Sequence, residues 1–188
     1  MKKIFAILLA SVLMFSLVAC AGSNETPSAA ESKDPLDVLK TVWASYGEDE
    51  KFPVAGGDMS EENNKMDEPG VFSLENKEEL DSTLGLTAEA AEKVDSVASL
   101  VHMMNANTFT CGAFRVKNAD DVKTLASLLK ENILKRQWMC GFPDGLVVAS
   151  VDDVVIAVFG KSGNLDTFKQ KLTAAYSSAE IISEDPIE

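Results

Sequence analysis

The sequence predicts an α+β domain built on an antiparallel sheet of about four strands, in ββαββα order, with helices on one face and further helices on the N-terminal side. Three observations carry the prediction. Residues 108–117 and 146–160 are rich in Val, Phe, Thr and Ile, and the second stretch folds back at Asp152-Asp153 as a hairpin. Each stretch is followed by apolar residues three and four apart, the spacing of one helical face. Apolar side chains make up 46% of the 188 residues, enough to pack one core, and the chain is too short for two ordinary domains.

The chain opens with Lys2 and Lys3, then an uncharged, mostly apolar run over 4–19. That run falls short of the roughly 20 residues a spanning helix needs and reads as a signal peptide. It ends Leu17-Val18-Ala19-Cys20, which resembles a lipobox. The resemblance implies cleavage before Cys20 and acylation of its thiol, leaving residues 1–19 as a removed leader. The competing reading is a plain secretory signal with Cys20 incidental. Residues 20–33 (CAGSNETPSAAESK) lack bulky apolar side chains after the Cys and read as a flexible tether. A single domain is expected over 34–188.

Asp34 is a natural N-cap and Pro35 suits the first helical position. Leu36, Leu39, Val42, Trp43 and Tyr46 then share a face, and Gly47 ends the helix. Residues 48–70, with Pro53, Gly56-Gly57 and many acids, read as an irregular loop. A short helix over 76–84 is expected to stop at Gly85, and Thr87 to cap another over 88–94. Residues 97–104 read as a strand, with a continuation of the helix as the alternative, and 108–117 read as a strand. Asn118 is expected to cap a helix reaching Gln137, with Val122, Leu125, Leu129 and Ile133 inward and Lys135 and Arg136 favoured by the helix dipole. The hairpin over 146–160 reads as buried on both faces or nearly so. Asn164 opens the last helix, with Leu165, Phe168 and Leu172 inward.

Three segments together, LGLTAEAAEKV (84–94), TFTCGAFRVKNADDVKTLASLLKENILKRQ (108–137) and VVASVDDVVIAVFG (147–160), resemble a family of clostridial-type lipoproteins, the domain-of-unknown-function family 4358. The likeness covers roughly 84–176. It implies the lipid anchor and the fold class. The family has no assigned activity, so it implies no functional residue, and WMCGFPDGL after the long helix departs from its pattern.

The side chains suited to chemistry are few. Gly160-Lys161-Ser162 looks like the end of a phosphate-binding loop, but Val155 stands where the first glycine belongs; a capped strand-to-helix turn accounts for it as well. His102 is the one histidine, so a histidine-based metal site or triad has nothing else to draw on; with Cys111 it would make a thiol and base, though no local signature supports that. Asp58, Ser60 and Glu62 have calcium-loop spacing, but Asn63 and Pro69 occupy the positions of the turn glycine and the bidentate acid. No cofactor, metal site or catalytic residue is expected. Cys111 and Cys140 admit two readings, a disulfide in an oxidising compartment or two buried free thiols. Met103, Met104, Met139 and Trp138 read first as core filler. Trp138, Met139, Phe142 and Pro143 also form a candidate apolar patch for a protein or peptide partner.

A formal net charge of −13 opposes nucleic-acid binding, which needs a basic face, and opposes a domain lying flat on anionic lipid. The expectation is therefore a non-enzymatic protein- or peptide-binding module, held to the cell membrane or outer membrane on the extracytoplasmic face through its N-terminal lipid. The rivals are a solute-binding accessory subunit of a transporter and a small hydrolase.

Overall fold

The computed structural model describes residues 33–188 except Met59 and Cys140. The leader, Cys20 and most of the tether lie outside the described residues. Helix α1 (Pro35–Ala44) starts where the Asp34 carboxylate accepts the Leu36 N–H at 2.8 Å and Pro35 occupies the first turn. Its inner face is Val38, Leu39, Val42 and Trp43, and Tyr46 is buried just past its end.

The acidic segment is structured rather than irregular. It holds three short strands, β1 (Val54–Gly56), β2 (Lys65–Met66) and β3 (Gly70–Val71). Strand β1 pairs with β2 on one side and with the end of β4 on the other, while β3 pairs with β4 further along. Their backbones cross so closely that a Cβ on Gly56 would lie 2.1 Å from the Gly70 nitrogen, which only glycine permits.

Helix α2 (Lys77–Glu79) runs into a π-helical turn (Leu80–Leu84) closed by Gly85 at φ 79°, and Thr87 caps α3 (Ala88–Ala91). Strands β4 (Val94–His102) and β5 (Phe109–Val116) follow, joined through a 3-10 turn (Ala106–Thr108). A second 3-10 turn (Ala119–Asp121) precedes α4 (Val122–Leu134). The hairpin β6 (Gly145–Val151) and β7 (Val154–Gly160), helix α5 (Ser162–Ala175) and strand β8 (Ala179–Pro186) complete the chain.

The expected sheet of about four strands is corrected. The sheet has eight antiparallel strands in the order β2-β1-β4-β5-β7-β6-β8, with β3 also on β4. The order from β4 is ββαββαβ, because β8 closes it. The sequence conceals that strand because AEIISEDP mixes acids into its alternation, as exposed edge strands do.

The one-faced arrangement is also corrected, and topology supplies the reason. Strand β5 is antiparallel to β7 and β7 to β6, so β5–α4–β6 is a parallel crossover that steps over β7. By the same count β7–α5–β8 is a parallel crossover stepping over β6. Both move the same way across the sheet, but they start from strands of opposite direction. Crossovers of one hand must then lie on opposite faces, and crossovers are almost always right-handed. Leu125, Ala126, Leu129 and Ile133 of α4 pack with Phe114, Val148, Val155 and Phe159 on one face. Leu165, Phe168 and Leu172 of α5 join α1 on the other, with Phe109, Cys111, Ala113, Val147 and Ile156. The hairpin is buried throughout because it is covered twice.

Several helix bounds differ from expectation: α1 ends at Ala44, before Gly47; α3 ends at Ala91, with Val94 already in β4; and α4 starts at Val122, after the 3-10 turn that Asn118 caps. Helix α4 stops at Leu134, so Lys135 is its C-cap residue and Arg136 lies beyond the helix. Helix α5 begins at Ser162, two residues before Asn164, whose Nδ2 instead donates to the Thr108 carbonyl at 3.1 Å. Among the described residues no helix is long and apolar enough to cross a membrane.

Candidate functional site: a cleft and hollow at the open end of the sheet

At one end of the sheet the β6–β7 turn is two residues, Asp152-Asp153. At the other end three connections converge: 103–108, 135–144 and the β7–α5 junction. The 3-10 turn holds the second of these, since Asn107 Nδ2 donates to the carbonyls of Met139 (3.2 Å) and Gly141 (2.7 Å).

A cleft of about 710 Å³ lies between the π-helical turn, the 3-10 turn and the segment after α4. Asp81 and Thr83 stand on one side, Asn107 on another, and Asn132, Arg136 and Trp138 on the third, with Phe159 behind. A neighbouring hollow of about 400 Å³ shares Thr83 and Ala106 with the cleft and is lined by Met66, Phe72, Val101, Met103 and Met104. The exposed large apolar side chains of the described residues are Met66, Val71, Met103, Met104, Met139 and Phe142. Three of them line the hollow and Met139 lines the cleft, so most of the exposed apolar surface gathers at this end. Methionine side chains are unbranched and polarisable, and adapt to many apolar shapes.

The candidate patch Trp138, Met139, Phe142 and Pro143 divides. Met139 and Phe142 are 78% and 54% exposed. Trp138 is half-buried against Phe159, with ring centroids 5.1 Å apart, and Pro143 is buried. Met103 and Met104, expected as core filler, are 44% and 80% exposed. The sequence carried one signal for them, a methionine pair abutting the turn Asn105-Ala106-Asn107.

The sequence suggests only a helix-dipole role for Arg136, and the structure gives it another setting. Its guanidinium donates to the Asp81 carbonyl and has no ion-pair partner among the described residues, whereas Arg115 pairs with Asp95 at 2.7 Å. The guanidinium carbon stands 5.8 Å from the Trp138 ring centre and 5.6 Å from that of Phe159. Burial pushes the Arg136 pKa down, and the nearby Asp81 charge partly offsets this. The Asp81 carboxylate itself is taken by Asn132 Nδ2 at 2.6 Å. The indole N–H of Trp138 is buried without an acceptor, which ordinarily costs about 1–3 kcal/mol. One wall thus holds a guanidinium without an ion-pair partner and an N–H without an acceptor.

The other candidates are each accounted for locally. At Gly160-Lys161-Ser162 the anion position of the helix start is filled by Asp144, which accepts from Lys161 Nζ (2.8 Å) and from the Ser162 N–H (3.0 Å). Those bonds hold its carboxyl below the usual range, the Lys161 bond foremost. His102 Nδ1 accepts from the N–H groups of Met104 (3.1 Å) and Asn105 (3.3 Å), and the ring stacks on Phe52 at 5.3 Å. Cys111 is a free, fully buried thiol whose pKa is pushed up by burial, the opposite of an activated nucleophile. It faces α1 and α5, while Leu134 and Trp138 pack on the other side of the sheet; Cys140 lies outside the described residues. Asp58 and Ser60 do meet, but through hydrogen bonds. The buried Asp58 carboxylate accepts from Ser60, from Asn63 Nδ2 (2.8 Å) and from the Ser73 N–H (2.9 Å). Burial alone would raise its pKa; these donors outweigh burial and bring it to about 2. Among the described residues no group of three or more His, Cys, Asp or Glu is placed to hold a metal ion.

No family model matches the chain, and no curated protein or solved structure matches it.

Proposed function

We propose that the chain is a lipoprotein anchored through acylated Cys20 on the extracytoplasmic face, and that its domain is a non-enzymatic module binding a protein or peptide at the open end of the sheet. The observation that carries this reading is the gathering of Met66, Met103, Met104 and Met139 around one cleft and hollow. A large exposed apolar surface is costly to keep in water, and its usual use is contact with a partner. The size of the cleft also favours the second reading, a solute-binding accessory subunit, since about 710 Å³ lies within the range of small-ligand sites.

A photo-crosslinking residue placed at 104 or 139, in cells, tests the first reading. The expected result is the same crosslinked protein from both positions, none from the exposed position 124 on α4, and loss of the product with Met66→Asp. Products that are identical at all three positions would overturn it. Cys20→Ser tests the anchor: the variant is expected to remain as uncleaved precursor or to be released from the membrane fraction, and full membrane retention of a variant whose leader mass spectrometry shows to be removed would exclude a lipid on that thiol.

A further inference from the structure

The chain carries 30 acidic residues against 17 basic ones, so carboxylates are not scarce. Several cations around the sheet have found them: Lys93 pairs with Asp121 at 2.8 Å, Lys130 with Asp185 at 2.7 Å and Lys171 with Glu50 at 2.6 Å. The half-buried Arg136 makes no ion pair among the described residues, and it stands in the wall of the cleft. A partly desolvated guanidinium without a direct ion pair is poised for one, because a carboxylate matches its planar fork and the bond is charge-assisted.

We propose that Arg136 receives the C-terminal carboxylate of an apolar peptide, whose last side chains lie in the methionine hollow. This rests on the protein- or peptide-binding reading and names its ligand. Three features argue for a chain end. The cleft and the hollow share the wall made by Thr83 and Ala106, so the ligand's charge and its apolar groups must be close neighbours. The rings of Trp138 and Phe159 stand beside the guanidinium, so the charge lies against apolar surface, as the carboxylate that ends an apolar chain requires. The acids in the cleft leave a direct ion pair to Arg136 unmade: the Asp81 charge acts on the guanidinium from nearby while its carboxylate accepts from Asn132, and Glu78 is exposed on α2.

The test uses the full chain in lipid nanodiscs and fluorescence anisotropy with three N-terminally labelled peptides. They are Gly-Gly-Leu-Met-Phe as the free acid, the same sequence as its amide, and Gly-Leu-Glu-Met-Phe as its amide. The free acid is expected to bind about tenfold more tightly than its amide, the scale of one charge-assisted bond. Arg136→Gln should bring the acid down to the amide's affinity, with Arg136→Lys in between. Should Arg136→Gln fail to fold, the wild-type gap between acid and amide must still shrink as salt rises. Equal binding of acid and amide would overturn the inference, as would a folded Arg136→Gln that binds the acid normally. Equal binding of the Glu-containing amide and the acid would replace the chain end with an acidic side chain. If acid and amide bind alike and Met104→Asp abolishes both, only the carboxylate inference falls. If no peptide binds and the crosslinks at 104 and 139 are unspecific, the protein-binding reading falls with it.

Discussion

The segments 48–70 and 135–144 both look like loops, and the structure treats them in opposite ways. The first is crowded with acids, yet it is woven into the sheet edge: three short strands, a glycine crossing, and a buried carboxylate that accepts from every side. Trp43 Nε1 donates to the Asp67 carbonyl at 3.0 Å, and Glu50 reaches Lys171. The second is short and apolar over 138–143, yet it leaves Met139 and Phe142 in water, Arg136 without an ion pair and the Trp138 N–H without an acceptor. Charge therefore does not mark the open segment here. Polar groups that satisfy one another build structure; apolar surface and donors left over mark a place for something else to bind.

Substitutions sharpen this contrast. The largest cost is expected inside the helix that carries the open segment. Leu129→Ala, fully buried under α4, should lose about 2–5 kcal/mol by leaving a cavity. Chemical denaturation measures it; a loss below about half a kcal/mol would mean that α4 hardly anchors the segment after it.

Next comes the acidic segment. Gly56→Ala should cost about 3 kcal/mol, the upper range for overpacking, because its Cβ meets Gly70 and Pro69 backbone rather than flexible side chains. A thermal scan that leaves the variant unchanged would show that the crossing is loose.

Asp58→Asn should cost about 2 kcal/mol near neutral pH. The pH dependence has a definite sign. The folded carboxyl titrates near 2 against an ordinary 3.8, so the folded value is the depressed one. Its contribution is complete above about pH 4 and is lost as pH falls toward 2. Urea unfolding of wild type and Asp58→Asn at pH 6, 4 and 2.5 should therefore show the gap closing at the acid end. A constant gap would mean that the carboxylate charge is not what the loop uses.

The smallest effect on stability belongs to the open end. Met104→Ala and Met139→Ala should each change unfolding free energy by less than about half a kcal/mol, as surface substitutions do. Each should still weaken crosslinking to the partner. A loss of several degrees in Tm would show that these methionines pack more than they display.

Much of the architecture was legible in local signals. Asp34, Thr87 and Gly85 act as the caps their chemistry suggests, and Leu125, Leu129 and Ile133 form the buried face of α4. The hairpin's unbroken apolar run already implied cover on both sides, and the expected single helical layer contradicted it. The site was half legible. Residues 138–143 stood out as an apolar segment after a helix end, but Trp138 and Pro143 turned inward.

The sequence by itself determined what depends on neighbours along the chain: the caps at Asp34, Thr87 and Gly85, the hairpin turn, and strand and helix periodicity. Only the tertiary structure decided what depends on pairs far apart. The handedness of two crossovers put α4 and α5 on opposite faces, and the pairing of β8 with β6 turned a mixed, acidic stretch into a strand. The folded sheet also brought Met66, Met104 and Met139 to one end and left Arg136 without an ion pair among so many carboxylates. A side chain's type is written locally, but its solvation and its partner are set by the surfaces that folding brings to it.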